Sequence, residues 1–162
     1  MPREDLIVKK LLLFLLVLMI ISTALNGLWE YGQTGIFYTI NGEASFENYN
    51  LLTGRIFVDV LVTLILFIFM SIINFDWKWF FNWDKKDTFI ILLFAFLASF
   101  YVEVNALYIG RWSYSSSMPL LIGTEVGFLP LLQWMVIIPI SLILTRLVMK
   151  GSIKNNKRYR FY

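Results

Sequence analysis

The sequence contains no cysteine and no histidine. Without cysteine there is no disulfide, no thiolate nucleophile and no thiolate metal ligand, and the redox compartment leaves no mark on the chain. Without histidine there is no imidazole ligand, no Ser-His or Cys-His pair, and no side chain whose ordinary pKa lies near neutrality. Proton chemistry falls to carboxylates, tyrosine, lysine or water, and neither a metal nor a cofactor is expected. Charge is scarce as well: 15% of the 162 residues are charged, against about 25% in an ordinary soluble domain. The net charge of +3 does not mark a nucleic-acid partner, because the basic residues are split among short segments flanking apolar runs and form no continuous basic face.

What the chain has in excess is apolar surface, with 59% hydrophobic residues. A soluble domain of this size buries only about 70% of its unfolded surface, so much of that excess must face lipid. Four stretches, 11–29, 56–73, 88–109 and 128–148, approach the roughly 20 residues needed to cross a hydrocarbon core of about 30 Å. The expected fold is all-α, a four-transmembrane-helix bundle forming a single membrane domain over 1–162, with a basic tail at 149–162. The first stretch also has signal-peptide marks, with Lys9 and Lys10 before it and small residues at Ser22–Ala24. Its apolar character continues through Leu28 to Trp29, which favours a full span.

Orientation follows from the flanking charges. Arg3, Lys9 and Lys10 precede the first span, Lys78, Lys85 and Lys86 lie between the second and third, and Arg146, Lys150, Lys154, Lys157, Arg158 and Arg160 follow the last. The remaining loops, about 30–55 and 110–127, hold only Arg55 and Arg111. The positive-inside rule therefore predicts both termini and the middle loop in the cytoplasm. That middle loop, from Asp76 to Asp84, alternates rings with polar residues and reads as an interfacial aromatic anchor.

Polar side chains inside spans are costly and turn toward a bundle interior or a wet cavity. At a rise of about 1.5 Å per residue, Asn26, Asp59, Glu103 and Gln133 all fall in one slab near the outer surface. Ser22, Asn26 and Glu30 recur every four residues on the first span, Asp59 and Thr63 share a stripe on the second, and Ala95, Ser99, Glu103 and Ala106 form a small-residue face on the third. Tyr101, Asn105, Tyr108 and Trp112 have the spacing of one aromatic wall. Arg111 can steer an anionic group, while Trp112, Tyr114 and Trp134 supply π faces. The candidate catalytic residues are Glu103 and Asp59, and the candidate substrate-binding residues are Asn26, Glu30, Tyr101, Asn105, Tyr108, Arg111, Trp112, Tyr114, Gln133 and Trp134. A purely structural account is also open: the amides are interhelical hydrogen-bonding glue worth about 0.6–2 kcal/mol each, and Glu30 and Asp59 reach outer water.

The run Glu103-Val-Asn105-Ala-Leu-Tyr-Ile-Gly110-Arg-Trp112-Ser-Tyr114, followed by Gly123, Leu129-Pro130-Leu131 and Ile138-Pro139, resembles the repeat of the small membrane lycopene cyclase domains. The likeness covers about residues 103–146 and implies carotenoid or other isoprenoid chemistry. It departs from the family after the proline, where the paired acidic residues are replaced by Leu132 and Gln133. The run is also similar to small bacterial membrane proteins with Gly-Arg-Trp-x-Tyr and Met-Pro, here Met118-Pro119; this suggests a bacterial cytoplasmic membrane but no activity. The expected function is an intramembrane enzyme or binder for a lipidic, isoprenoid-like molecule. The alternatives are a small cation or proton transporter or channel subunit, and an accessory subunit assembling with itself or another membrane protein.

Overall fold

Each apolar run forms a helix, and local signals set where the helices stop. A computed structural model describes residues 3–40, 43–44 and 49–156, with side chains placed over 7–39 and 52–150. The helices are α1 (Arg3–Phe37), α2 (Tyr49–Ile73), α3 (Lys85–Tyr108) and α4 (Phe128–Asn156). Their stretches Ile7–Phe37, Leu52–Ile73, Lys85–Tyr108 and Phe128–Lys150 are each long and apolar enough to cross a membrane. Leu12, Leu16 and Ile20 on α1, Ile65, Ile68 and Ile72 on α2, and Leu93 and Leu97 on α3 point outward. Exposed apolar faces this extensive need lipid, not water, around them. The protein is a polytopic, four-helix integral membrane protein. Of the basic tail expected over 149–162, residues 149–156 continue α4, and 157–162 lie outside the described residues.

Helix α1 begins at Arg3 and not at residue 11, and α4 ends at Asn156 and not at residue 148, each carrying helix past the expected span. Helix α1 runs to Phe37 and not to residue 29, and α2 begins at Tyr49 and not at residue 56, so most of the loop expected at 30–55 is helical. The reason is that Glu30, Gln33, Thr34 and Arg55 satisfy one another and the neighbouring helices (below), which lets polar turns remain helical inside the bundle. Between them lie β1 (Tyr38–Ile40) and β2 (Glu43–Ala44), which join β3 (Ser113–Tyr114) in a small antiparallel sheet of order β2-β1-β3. The register pairs Tyr38 with Tyr114 and Thr39 with Ser113, tying the α1–α2 connection to the α3–α4 connection.

Helix α3 starts at a capping box. The Asp84 carboxylate accepts from the Asp87 N–H at 2.8 Å, and Asp87 accepts from the Asp84 N–H at 3.2 Å, satisfying two donors that the first turn otherwise leaves open. It ends in a Schellman turn at Gly110 (φ +67°), where the Arg111 N–H donates to the Ala106 carbonyl and the Gly110 N–H to the Leu107 carbonyl. Glycine suits this left-handed position because it carries no Cβ. Helix α4 continues through Pro139, although the proline ring removes one backbone hydrogen bond there.

The helices pack unequally. Helix α1 lies against both α2 and α4, and α3 lies against α4, whereas α2 and α3 barely touch. At the end away from the sheet, Phe14, Leu18, Leu66, Phe67, Ile91 and Leu142 are fully buried in one apolar cluster. The chain between α2 and α3 does more than anchor at an interface. Its 3₁₀ turn (Trp79–Asn82) drives Trp79 and Phe80 into the bundle, with the Phe80 ring 4.1 Å from Phe14. Burial of a large ring outweighs the weak preference of aromatics for the interface.

Candidate functional site

At the sheet end the bundle interior turns polar. On α1 the four-residue repeat of Ser22, Asn26 and Glu30 continues into Gln33 and Thr34, all buried. On α2, Arg55, Asp59 and Thr63 stack at the same spacing, and on α3 Ser99 and Glu103 share the face toward α4. Helix α4 contributes Gln133 and Trp134.

Three carboxylates are held by separate sets of donors. Glu30 accepts from Gln33 Nε2 through Oε1 at 3.0 Å and from Thr34 Oγ1 through Oε2 at 3.0 Å, and the same Oε2 is 3.0 Å from Arg55 Nε. Asp59 accepts from Trp134 Nε1 at 2.7 Å through one oxygen and from Gln133 Nε2 at 3.0 Å through the other. Glu103 Oε2 accepts from Trp112 Nε1 at 3.2 Å and from the Tyr114 hydroxyl at 2.5 Å. Burial, then the Glu103 charge and this hydrogen bond, push the Tyr114 phenol up from its ordinary value, so the phenol keeps its proton and acts as donor. Gln133 joins the sets: its Nε2 also reaches Asn26 Oδ1 at 3.2 Å, and its Oε1 accepts from Gln33 at 2.8 Å.

Arg55 sits at the centre. Its guanidinium lies over the Tyr38 ring at 3.7 Å and within 5.0 Å of the Trp112 ring centre, a cation–π arrangement strengthened where water is excluded. Burial dominates in raising the Tyr38 phenol, and the Arg55 charge opposes it. Together these groups border a cavity of about 130 Å³. Its polar wall is Glu30, Arg55, Asp59, Glu103 and Gln133, and its apolar wall is Val58, Val102, Trp112, Pro130 and Trp134, with Arg111 at the rim. The volume holds several waters but is well below the roughly 300–1,000 Å³ of pockets that enclose a whole drug-sized ligand. Among the described residues, no cluster of three acidic side chains could hold a metal ion.

The structure brings together many of the residues singled out from the sequence. Glu30, Asp59, Glu103, Arg111, Trp112, Gln133 and Trp134 line the cavity, while Asn26 and Tyr114 stand one hydrogen bond behind it. It does not bring Tyr101, Asn105 or Tyr108 there. Tyr101 is 69% exposed and Tyr108 89% exposed, and Asn105 is exposed beside them. These three share a stripe, but it lies on the side of α3 away from Ser99 and Glu103. Trp112 does not extend that stripe, because the Gly110 turn ends the helix first and sends the chain back over the bundle. Glu30 and Asp59 are also buried rather than in contact with outer water.

The residue that sequence reasoning missed is Arg55. Near the end of an apolar run an arginine reads as a loop charge, yet its spacing of four from Asp59 and eight from Thr63 was the signal of a shared face. Gln33 was missed in the same way, three residues beyond Glu30. Comparison with protein-family models, curated proteins and solved structures returns no match, so the reading of the site rests on its geometry.

Proposed function

We propose that this protein binds, and has the groups to act on, an amphiphilic molecule of the membrane. The polar end of the molecule seats in the cavity while its tail stays in lipid. The observation that carries the reading is the seam between α2 and α3. Val58 and Gly54 on one side face Ser99 and Val102 on the other across the cavity, and a side chain added at Gly54 would meet nothing within 4 Å. Farther down, the seam is bridged by Phe69 against Phe94, 5.8 Å between ring centres, and by Asn74 donating to Asp87 at 3.0 Å. Entry on this side, at the level of the polar groups, lets a lipid reach the cavity without crossing the bundle. The resemblance to the lycopene cyclase domains favours an isoprenoid tail. Glu103 is the polar anchor, since one oxygen of its carboxylate is left without a donor among the described residues, and once protonated on that oxygen it can serve as a general acid.

The loop charges support a topology with the sheet end outside and the Trp79–Asn82 end in the cytoplasm. Because the chain has no cysteine, single cysteines report this cleanly. With both positions exposed, Ser116→Cys should react with an impermeant thiol reagent on intact cells and Asn82→Cys should not. The reverse pattern overturns the topology. An ion path is the less favoured reading, because the core of the other half of the bundle is filled by Phe14, Phe67, Phe80 and their neighbours, an apolar plug.

The test of the main reading is mass spectrometry of lipid extracted from the purified protein, with Val58→Trp as a plug in the seam. Wild type should retain one amphiphile in near-stoichiometric amount, and the plugged variant should lose it. Identical bulk-lipid profiles for both proteins exclude this function.

A further inference from the structure

Among the described residues that line the cavity most polar atoms pair with one another, and Arg55 Nη1 and Glu103 Oε1 are exceptions that point to what is missing. Both Asp59 oxygens and both Glu30 oxygens are occupied. Glu103 Oε2 accepts twice, but Glu103 Oε1 receives no donor from the described residues. Arg55 is only 9% exposed, and its Nε engages Glu30, yet its Nη1 makes no hydrogen bond of ordinary geometry to the described residues, the guanidinium lying on the Tyr38 ring. Guanidinium presents five donors in a rigid fork suited to planar or tetrahedral oxyanions. A buried donor left unmade carries a full desolvation penalty, and such groups in native structures commonly mark an unseen water, ion or ligand.

A second guanidinium, Arg111, stands at the rim of the same cavity with no ion pair among the described residues. Arg55 Nη1 and Arg111 therefore offer donors from inside and from the mouth, while Glu103 Oε1 offers one acceptor. The neighbouring Asp59 and Glu103 carboxylates would repel a bare anion. That repulsion is offset when the same group brings a hydroxyl or ammonium proton to Glu103, with the Trp112 and Trp134 rings beside it.

Building on the amphiphile reading above, we propose that the cavity is the seat of a lipid phosphate headgroup, with a phosphate oxygen on Arg55 Nη1 and a headgroup O–H or N–H donor on Glu103 Oε1. Phosphoethanolamine and phosphoglycerol heads carry both features. Phosphocholine carries the oxyanion but has no donor, and diacylglycerol has no oxyanion.

The experiment measures Tm of the full chain in an uncharged maltoside detergent during titration with short-chain phosphatidylethanolamine, phosphatidylcholine or diacylglycerol, or with sodium phosphate against sodium chloride of equal ionic strength. Phosphatidylethanolamine should raise Tm by about 5 °C or more near saturation, phosphatidylcholine by clearly less, and diacylglycerol no more than added detergent. A diacylglycerol shift equal to that of phosphatidylethanolamine overturns the headgroup assignment but leaves the amphiphile reading standing. A phosphatidylcholine shift as large as that of phosphatidylethanolamine overturns the role of Glu103 Oε1. If sodium phosphate alone reproduces the rise and no lipid adds to it, the oxyanion seat stands, its source is free phosphate, and the amphiphile reading falls. No shift with any phosphate compound overturns the proposal. Arg55→Lys keeps the charge beside Glu30 but loses the fork, so it should abolish the phosphate-dependent rise, and a full rise in that variant overturns the assignment. Should Arg55→Lys fail to fold, Arg111→Gln, altered at an exposed site, should weaken apparent phosphatidylethanolamine affinity several-fold, and unchanged affinity counts equally against the proposal.

Discussion

The two halves of this bundle are built on different physics. Toward the Trp79–Asn82 turn, Phe14, Phe67 and Phe80 interlock with Leu18, Leu66 and Leu142, and the contacts are dispersion and shape. Toward the sheet, α1, α2 and α4 meet through Asn26, Glu30, Arg55, Asp59 and Gln133, and Ser99 on α3 donates to the Pro130 carbonyl on α4, so the contacts are directional hydrogen bonds. In lipid the first kind of packing holds helices together without a hydrophobic driving force between them, and it tolerates no water. The second kind leaves a cavity lined by charged and amide side chains. Both halves hold the helices together, but only the polar one offers groups for binding and chemistry.

The comparison can be broken most forcefully in the dry half. Phe80→Ala should destabilise the fold by about 3–5 kcal/mol, read as a fall in Tm, while the folded fraction binds ligand normally. An equal loss of binding per folded molecule would mean that the halves are not independent. Close in size, Arg55→Met strands Glu30 without its cation and should cost about 3–5 kcal/mol. Pairing it with Glu30→Leu should recover most of that stability without recovering binding. Glu103→Gln should change stability by about 1 kcal/mol or less, since a neutral isostere still accepts from Trp112 and Tyr114. It should nevertheless abolish any activity that uses the carboxyl proton. A stable and fully active variant would remove Glu103 from the chemistry.

A smaller effect sharpens the polar half by pH. The Tyr114 phenol is raised in the folded protein by burial first and the Glu103 carboxylate second, from an ordinary 10.0. A raised acid binds its proton more tightly folded than unfolded. The contribution is thus intact below about pH 10 and drains away as pH rises past it. Tyr114→Phe should flatten that alkaline fall in Tm, and an unchanged slope would show that Tyr114 is not the group responsible. Smallest of all, Tyr108→Leu should shift stability by only about 0.5 kcal/mol and leave binding alone, because the ring faces away from the cavity.

How much of this was legible in the sequence divides along similar lines. The spans were readable because lipid demands long apolar runs, and the faces holding Asn26, Asp59 and Glu103 were readable because helical spacing repeats within one element. What could not be read was anything that depends on a partner element. Arg55 is helical because Glu30 on another helix neutralises it. Residues 30–37 remain helical because Gln33 finds Gln133 on α4. The aromatic stripe through Tyr101 and Tyr108 was spaced correctly, but spacing cannot say which side of α3 meets protein, and the turn at Gly110 hides Trp112 from any helical count. Trp79 and Phe80 looked interfacial because nothing local announces the Phe14–Phe67 ring pair they pack against.

The uneven packing of the helices also bears on how the protein is assembled. Glu30, Arg55 and Asp59 arrive on the α1–α2 hairpin, and Glu103, Gln133 and Trp134 on the α3–α4 hairpin, so neither hairpin holds the site alone. Apolar surfaces can slide past one another with little penalty, but a slip of one helical turn, about 5.4 Å, would part Gln33 from Gln133 and Asp59 from Trp134. The polar layer therefore acts as a vernier for inserting helices, giving the two hairpins one vertical alignment out of several that the greasy half would accept. Co-expressed as separate pieces cut within the 74–84 connection, the hairpins should find that same alignment through those hydrogen bonds.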